Sequence, residues 1–180
     1  NMTTVPKPSS PATGLTLKYD AWNRLVEVKE GANVLGQYSY DGDGRRIRKY
    51  AAASGTYEHA FYLGEQLVET RETASASAQP ETLQPKYQWV WSPRYIDAPI
   101  LRDEDNGDED SLCNNGRLYF LTDANMNVTT LVDPAGDALE RYTYTPYGAV
   151  TFRNPNWSLR NPASSNYTNA TLYTGRTLLV

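Results

Sequence analysis

The residues best placed to do chemistry in this chain are acids. Seven carboxylates fall between Asp97 and Asp110, and the run Asp103-Glu104-Asp105-Asn106-Gly107-Asp108-Glu109-Asp110 crowds Asp103, Asp105, Asp108 and Asp110 together. A hard divalent cation relieves such repulsion by taking oxygen ligands from alternating positions, so the chemistry on offer is calcium coordination. The spacing departs from a calcium-loop pattern twice: counted from Asp103, Gly107 stands at position five and Asn114 replaces the bidentate Glu at position twelve. A solvated acidic loop is the ordinary alternative. Asp133-Pro134-Ala135-Gly136 sets a carboxylate beside a peptide bond, yet between two strand-like runs this is good turn chemistry. Trp89 and Trp91 alternate along one stretch and form a possible stacking platform for sugars or bases, with sheet packing as the alternative. His59 is the single histidine, in an alternating run that reads as sheet surface, and Cys113 is the single cysteine. These counts exclude an intrachain disulfide framework and a Cys-rich zinc site, and weaken any Cys–His or Ser–His mechanism. No cofactor beyond calcium is expected.

Composition limits what can position those groups. Leu, Ile, Val and Phe supply only 33 of the 180 residues, but the net charge is −4, and 14 Tyr and 4 Trp restore the apolar area. Aromatic rings with polar tips tolerate half-wet positions, which favours folded, aromatic-faced β structure over disorder. With 17 basic against 21 acidic residues and no basic cluster beyond Arg45, Arg46, Arg48 and Lys49, nucleic acid is not an expected partner. No run approaches the length of a membrane-spanning helix, and Asn1 to Gly14, rich in Pro, Ser and Thr, has no apolar export core. Five Asn-x-Ser/Thr sequons, at Asn1, Asn127, Asn156, Asn166 and Asn169, imply a glycosylated surface in a eukaryotic secretory setting.

The elements themselves repeat. Tyr19-Asp20-Ala21-Trp22-Asn23-Arg24 is echoed 21 residues later by Tyr40-Asp41-Gly42-Asp43-Gly44-Arg45. Looser copies follow at Asp123-Ala124-Asn125-Met126-Asn127 and Tyr144-Thr145-Pro146-Tyr147-Gly148, with Asp133-Pro134-Ala135-Gly136 a further turn of the same shape. Before each turn the residues alternate, as in Gln37-Tyr38-Ser39-Tyr40 and Arg141-Tyr142-Thr143-Tyr144, which is the period of a strand. Asp opens the turn by bonding its own backbone, and Gly or Asn takes the position where φ must turn positive. The unit is therefore strand, tight turn, strand. No segment carries a 3.6-residue stripe, so very little helix is expected.

A Tyr-Asp-x-x-Gly-Arg unit recurring at this spacing resembles the RHS/YD-repeat family, over most of Leu15 to Arg176. Tyr19, Asp20, Asn23 and Arg24, and Tyr40, Asp41, Gly44 and Arg45, look like the repeat. Leu118 to Asp133, then Gly136, Glu140 to Tyr142, Tyr144 and Gly148, look like the family's core-associated stretch, closed by Tyr173-Thr174-Gly175-Arg176. The resemblance implies a spiralling β-sheet shell, which in bacteria commonly encloses a toxic domain and in animals forms part of an adhesion receptor. It also implies self-cleavage at an Asp-Pro-x-Gly element beyond the closing tetrad. Asp133-Pro134-Ala135-Gly136 lies before that tetrad and the sequence ends at Val180, so self-cleavage is not expected of this chain.

The fold class is thus all-β: antiparallel hairpin repeats forming part of a YD-repeat shell. Residues 1–14 are expected as a flexible linker, 15–176 as the repeat sheet with loops at 72–85, 102–116 and 153–170, and 177–180 as a tail. The expected role is a non-enzymatic wall segment of a secreted or cell-surface protein. Its expected partners are the remainder of the shell, or another chain completing the sheet, and an enclosed toxin or cargo polypeptide. Tyr19, Tyr38, Tyr40, Tyr142 and Tyr144 would stiffen the inner face. The alternative is an adhesive module binding carbohydrate or protein through Trp89, Trp91 and a calcium-loaded acidic loop.

Overall fold

The computed structural model describes residues 1–7, 10–105, 107 and 116–175. Among them the chain is all-β, with strands β1 (Thr4–Lys7), β2 (Ser10–Tyr19), β3 (Leu25–Glu30), β4 (Asn33–Tyr40), β5 (Arg46–Ala51), β6 (Thr56–Leu63) and β7 (Gln66–Thr73). These are followed by β8 (Tyr87–Trp91), β9 (Pro99–Glu104), β10 (Leu118–Thr122), β11 (Val128–Val132), β12 (Ala138–Tyr144) and β13 (Val150–Arg153). They form one antiparallel sheet in strict chain order, each strand hydrogen-bonded to the next. Most of the connections are short hairpin turns, which leave the chain nowhere to go but back along its own strand. Helix is confined, among the described residues, to single 3-10 turns at Pro80–Thr82 and Tyr173–Gly175.

The expected linker is not one. Val5, Pro6 and Thr4 pair with Leu15, Gly14 and Thr16, so the Pro/Ser/Thr-rich start enters the sheet as β1 and the first half of β2. Pro6 is tolerated because an edge strand can spare one donor. The loop expected at 102–116 begins later, since β9 runs to Glu104, and most of its remainder lies outside the described residues.

The chain divides into two compact units, Asn1–Tyr62 with Glu69–Lys86, and Leu63–Val68 with the described part of Tyr87–Val180. The second has an apolar core of Leu118, Phe120, Val128, Leu131, Tyr142 and Leu172, with Trp89, Leu139, Tyr144, Val150, Phe152 and Tyr167 packed on it. Strands β10 to β12 alternate, so one face feeds that core. In the first unit most strand residues are half-buried, and arginine guanidinium groups lie over tyrosine rings: Arg46 over Tyr38 at 5.6 Å and Arg48 over Tyr57 at 4.4 Å. Tyr50 and Tyr57 pack ring against ring at 4.6 Å across the β5–β6 ladder. Such stacks substitute for aliphatic burial where Leu and Ile are scarce.

Segment 153–170 also differs from the expected outside loop. Its residues return to the sheet: Leu159 bridges Arg153, Arg160 N–H donates to Phe152 O at 3.1 Å, and Asn169 is 6% exposed.

Candidate functional site

Among the described residues, the repeat motif resolves into one turn used six times. With the opener as residue one, its N–H donates to the carbonyl of residue five, and the N–H of residue four donates back to the opener's carbonyl. This holds for Asp20/Arg24, Asp41/Arg45, Asp123/Asn127, Asp133/Asp137, Thr145/Ala149 and Asn154/Ser158, at 2.9–3.2 Å. Residue four has positive φ each time: Asn23, Gly44, Met126, Gly136, Gly148 and Trp157, from 62° to 90°. This is a tight turn closed by a left-handed residue, and register shifts beside Tyr19, Tyr40, Thr122 and Val132 are the bulges it creates. The Asp133-Pro134-Ala135-Gly136 element is such a turn. The turn at Asn154 was not legible, since Trp157 stands where Gly or Asn was sought, and only the Asn opener signalled it.

The opener's carboxylate organises the loop. Asp20 Oδ1 accepts the Trp22 and Arg24 N–H groups and Oδ2 accepts Arg24 Nε at 2.7 Å. Asp41 repeats this with Asp43 and Arg45, and Asp123 with Asn125 and Asn127, where the Asn127 amide replaces the guanidinium. Partial burial pushes each of these three carboxyls upward, but the hydrogen bonds outweigh it and hold all three below the usual carboxylate value.

Each turn is then tied to the next hairpin. The Tyr40 hydroxyl donates to Leu25 O at 2.8 Å, Tyr62 to Arg46 O at 3.1 Å and Tyr144 to Val128 O at 2.6 Å. In every case the acceptor is the first residue after an earlier Asp-opened turn, those of Asp20, Asp41 and Asp123. Arg24 adds a second tie, lying over Tyr40 at 4.9 Å and donating to Asp41 O at 2.9 Å, and Arg45 lies over Tyr62 at 5.5 Å. Tyr19, Asp20, Asn23, Arg24, Tyr40, Asp41, Gly44 and Arg45 are thus brought together as a ladder of linked turns. Its groups answer one another, which suits stiffness rather than turnover.

The second unit carries a clasp. Tyr173 packs its ring on Gly148, 2.9 Å from where a Cβ would stand, and 5.7 Å from the Tyr144 ring. Thr174 N–H donates to Asn127 Oδ1 at 2.9 Å, Val128 N–H to Leu172 O at 3.0 Å, and Gly175, at φ 67°, sits against the Asp97 carbonyl. Tyr173 thus joins Tyr144 and Gly148, and Gly175 packs against Asp97, while Arg176 lies outside the described residues.

Beneath the clasp is a buried polar knot that the sequence did not reveal. Glu140, fully buried, accepts from the Tyr142 hydroxyl at 2.6 Å, Ser165 Oγ at 2.6 Å and Asn166 N–H at 3.3 Å, and pairs with Arg160 at 3.1 Å. Burial and the Glu140 carboxylate push the Tyr142 hydroxyl well above its ordinary value. Asn169 Nδ2 bridges Tyr142 Oη and Thr171 O, and buried Arg102 donates to Tyr167 O at 2.6 Å and Thr168 O at 3.2 Å while lying over Tyr87 at 4.4 Å. A carboxylate bonded this fully fastens residues 160–172 to β12. Asn127 and Asn169, 7% and 6% exposed, are engaged in these networks, so two of the five sequons are closed to glycosylation in the folded chain.

The remaining sequence candidates fall elsewhere. Asp103 is gripped by Arg117 through both oxygens at 2.7 Å, and Asp105 accepts Gly107 N–H; Asp108 and Asp110 lie outside the described residues. Among the described residues no group of three or more acids, His or Cys converges as a metal site. Trp89 packs on the core and Trp91 donates its indole N–H to Leu67 O at 2.7 Å, so both indoles are engaged with the sheet. His59 is not a surface residue: it is 7% exposed, on β6 opposite Arg48.

No protein-family model matches the chain, and no curated protein matches it by sequence. Solved structures do match. In fold, the chain is similar to TcdB2-TccC3. The crystal structure of TcdB2-TccC3 aligns with a TM-score of 0.59 at 20% identity, over 91% of this chain and 8% of that one. The Photorhabdus luminescens Tc holotoxin pore with a mutated TccC3 aligns at 0.58 and 20%, with the same coverages. TcdB2-TccC3 without its hypervariable C-terminal region aligns at 0.55 and 21%, again over 91% and 8%. The chain thus spans about 8% of the length of the chains it matches, and at this identity the likeness is one of fold. No helix among the described residues is long and apolar enough to cross a membrane.

Proposed function

We propose that this chain is a non-enzymatic wall segment of an RHS/YD-repeat shell that encloses or presents another polypeptide, such as a toxin domain, within a secreted or cell-surface protein. The observation that carries the proposal is the ladder of turns, in which each Tyr hydroxyl and Arg guanidinium fastens one hairpin to its predecessor. A repeat whose bonding groups are spent on its neighbours builds an extended surface. The likeness in fold to TcdB2-TccC3 supports the same reading, and so does the small fraction of those chains that this one spans.

The test uses the full gene product in which this chain occurs. Protease is added to the intact protein, and the survival of any co-encoded polypeptide is compared with that of the same polypeptide expressed alone. A wall predicts protection that falls when Asp20→Ala and Asp41→Ala loosen the ladder. Equal digestion rates with and without the wall overturn the reading. Fractionation of the producing cells checks the secreted or surface location.

A further inference from the structure

Of the stretch 72–85, expected as a loop, residues 72–73 end β7 and the rest is a strap tied to the sheet of the first unit at two places. Arg48 Nη2 donates to Ala76 O at 2.8 Å. Arg71 Nη1 donates to Pro80 O, Glu81 O and Leu83 O at 3.0–3.2 Å, and its guanidinium lies over Phe61 at 4.8 Å. Between the stitches is a cleft of about 520 Å³, bordered by Ile47, Phe61, Ala76, Ala78 and Pro80 with Arg48 and His59. The strap also makes short turns of its own, and Lys86 N–H donates to Thr70 O at 2.7 Å.

The only histidine of the chain therefore sits beside the strap's first anchor. His59 is 7% exposed, its Nε2 is buried with no hydrogen-bond partner, and its cross-strand neighbour is Arg48, whose Nε is likewise unpartnered. The residues that border the cleft with it supply no counter-ion. On β5 there is Arg48, which also lies over Tyr57, and on β6 the flanking same-face residues are Tyr57 and Phe61. On β7, Thr70 is buried with its hydroxyl unpartnered, and Arg71 is matched by Glu69 at 2.6 Å. Ser39 of β4 and the strap residues Ser77 and Gln79 complete the polar lining, and no carboxylate borders the cleft.

We infer that protonation of His59 releases the strap, making residues 74–86 an acid-opened flap over the first unit's sheet. Neutral His59 leaves one nitrogen without a partner, a tolerable cost; the imidazolium would bury a second N–H with no acceptor beside the Arg48 cation. Opening the strap hydrates His59 and frees Arg48 from Ala76, so the open form binds the proton better. Burial, and then the Arg48 charge, hold the folded His59 below its ordinary value of 6.5. Closure is therefore fully supported above about pH 6.5 and weakens as pH falls below it.

The single histidine makes the test direct. Proton NMR of the unmodified chain gives one imidazole titration, and hydrogen exchange, corrected for intrinsic rates, reads the strap over residues 74–86. The expected result is a His59 midpoint below 6.5, with exchange in the strap rising as pH falls from about 7.5 to about 5.5. Linkage caps that rise at about tenfold one unit below the ordinary value. His59→Gln, neutral throughout, should abolish the rise. A midpoint at or above the ordinary value, or strap exchange that is flat across this range, overturns the inference even if the variant does not fold. The outcome is independent of whether the chain belongs to a shell.

Discussion

Residue four of each turn must adopt a left-handed backbone, and the six turns answer with three glycines, an asparagine, Met126 and Trp157. A side chain there costs on the order of 1–2 kcal/mol, while glycine carries a penalty of about 0.5–1 kcal/mol through the unfolded chain. Met126→Gly should therefore raise stability by up to about 1 kcal/mol, read as a shift in urea midpoint without a change in slope. The glycines separate two effects. Around Gly136 there is open space, so Gly136→Ala meets backbone strain alone, about 1 kcal/mol. At Gly148 an added Cβ also collides with Tyr173, and Gly148→Ala should cost roughly 1–3 kcal/mol more. Equal losses for the two would mean that the clasp does not bear on Gly148.

At the scale of elements, stability rests on how hairpins are fastened. Asp41→Ala removes the acceptor for two backbone N–H groups and for Arg45, and should lower the midpoint of chemical denaturation. The Glu140 knot binds residues 160–172 to β12. Because removing one partner strands a buried guanidinium, Glu140→Ala should cost about 3–5 kcal/mol, with exchange rising first across 160–172. A loss below about 1 kcal/mol would show that this segment is held by Leu172 and Tyr167 packing instead.

For the whole molecule, acidity and cations are the levers. The Asp20, Asp41 and Asp123 carboxyls titrate below their ordinary value of 3.8, so they stabilise the fold above that value and withdraw support as pH falls through the folded values. Melting followed from neutral to strongly acid pH should stay level on their account until about pH 4 and then drop. The His59 strap acts earlier, as pH falls below 6.5, and locally. Asp20→Asn with Asp41→Asn should flatten the acid drop. For a wall segment, calorimetric titration with calcium and with a panel of glycans should give no saturable heat. A calcium heat abolished by Asp103→Asn would revive the adhesive alternative and detach Asp103 from Arg117 as its resting partner.

What the sequence alone determined is the short-range part of this protein: period-two strands, tight turns near Tyr19, Tyr40, Asp123, Asp133 and Tyr144, all but the last opened by Asp, and the near absence of helix. Those features are fixed by backbone sterics and bonds spanning four residues, so local spelling carries them. The tertiary structure decided the rest. Thr4–Lys7 became a strand only because β2 was there to pair with it, and Trp157 accepted a left-handed backbone in a turn whose flanks are tied by Arg153 and stacked on Arg141. Glu140 and His59 owe their burial, and the strap its anchor on Arg48, to residues 11 to 28 positions away, and a contact formed across that distance leaves no periodic trace in the chain.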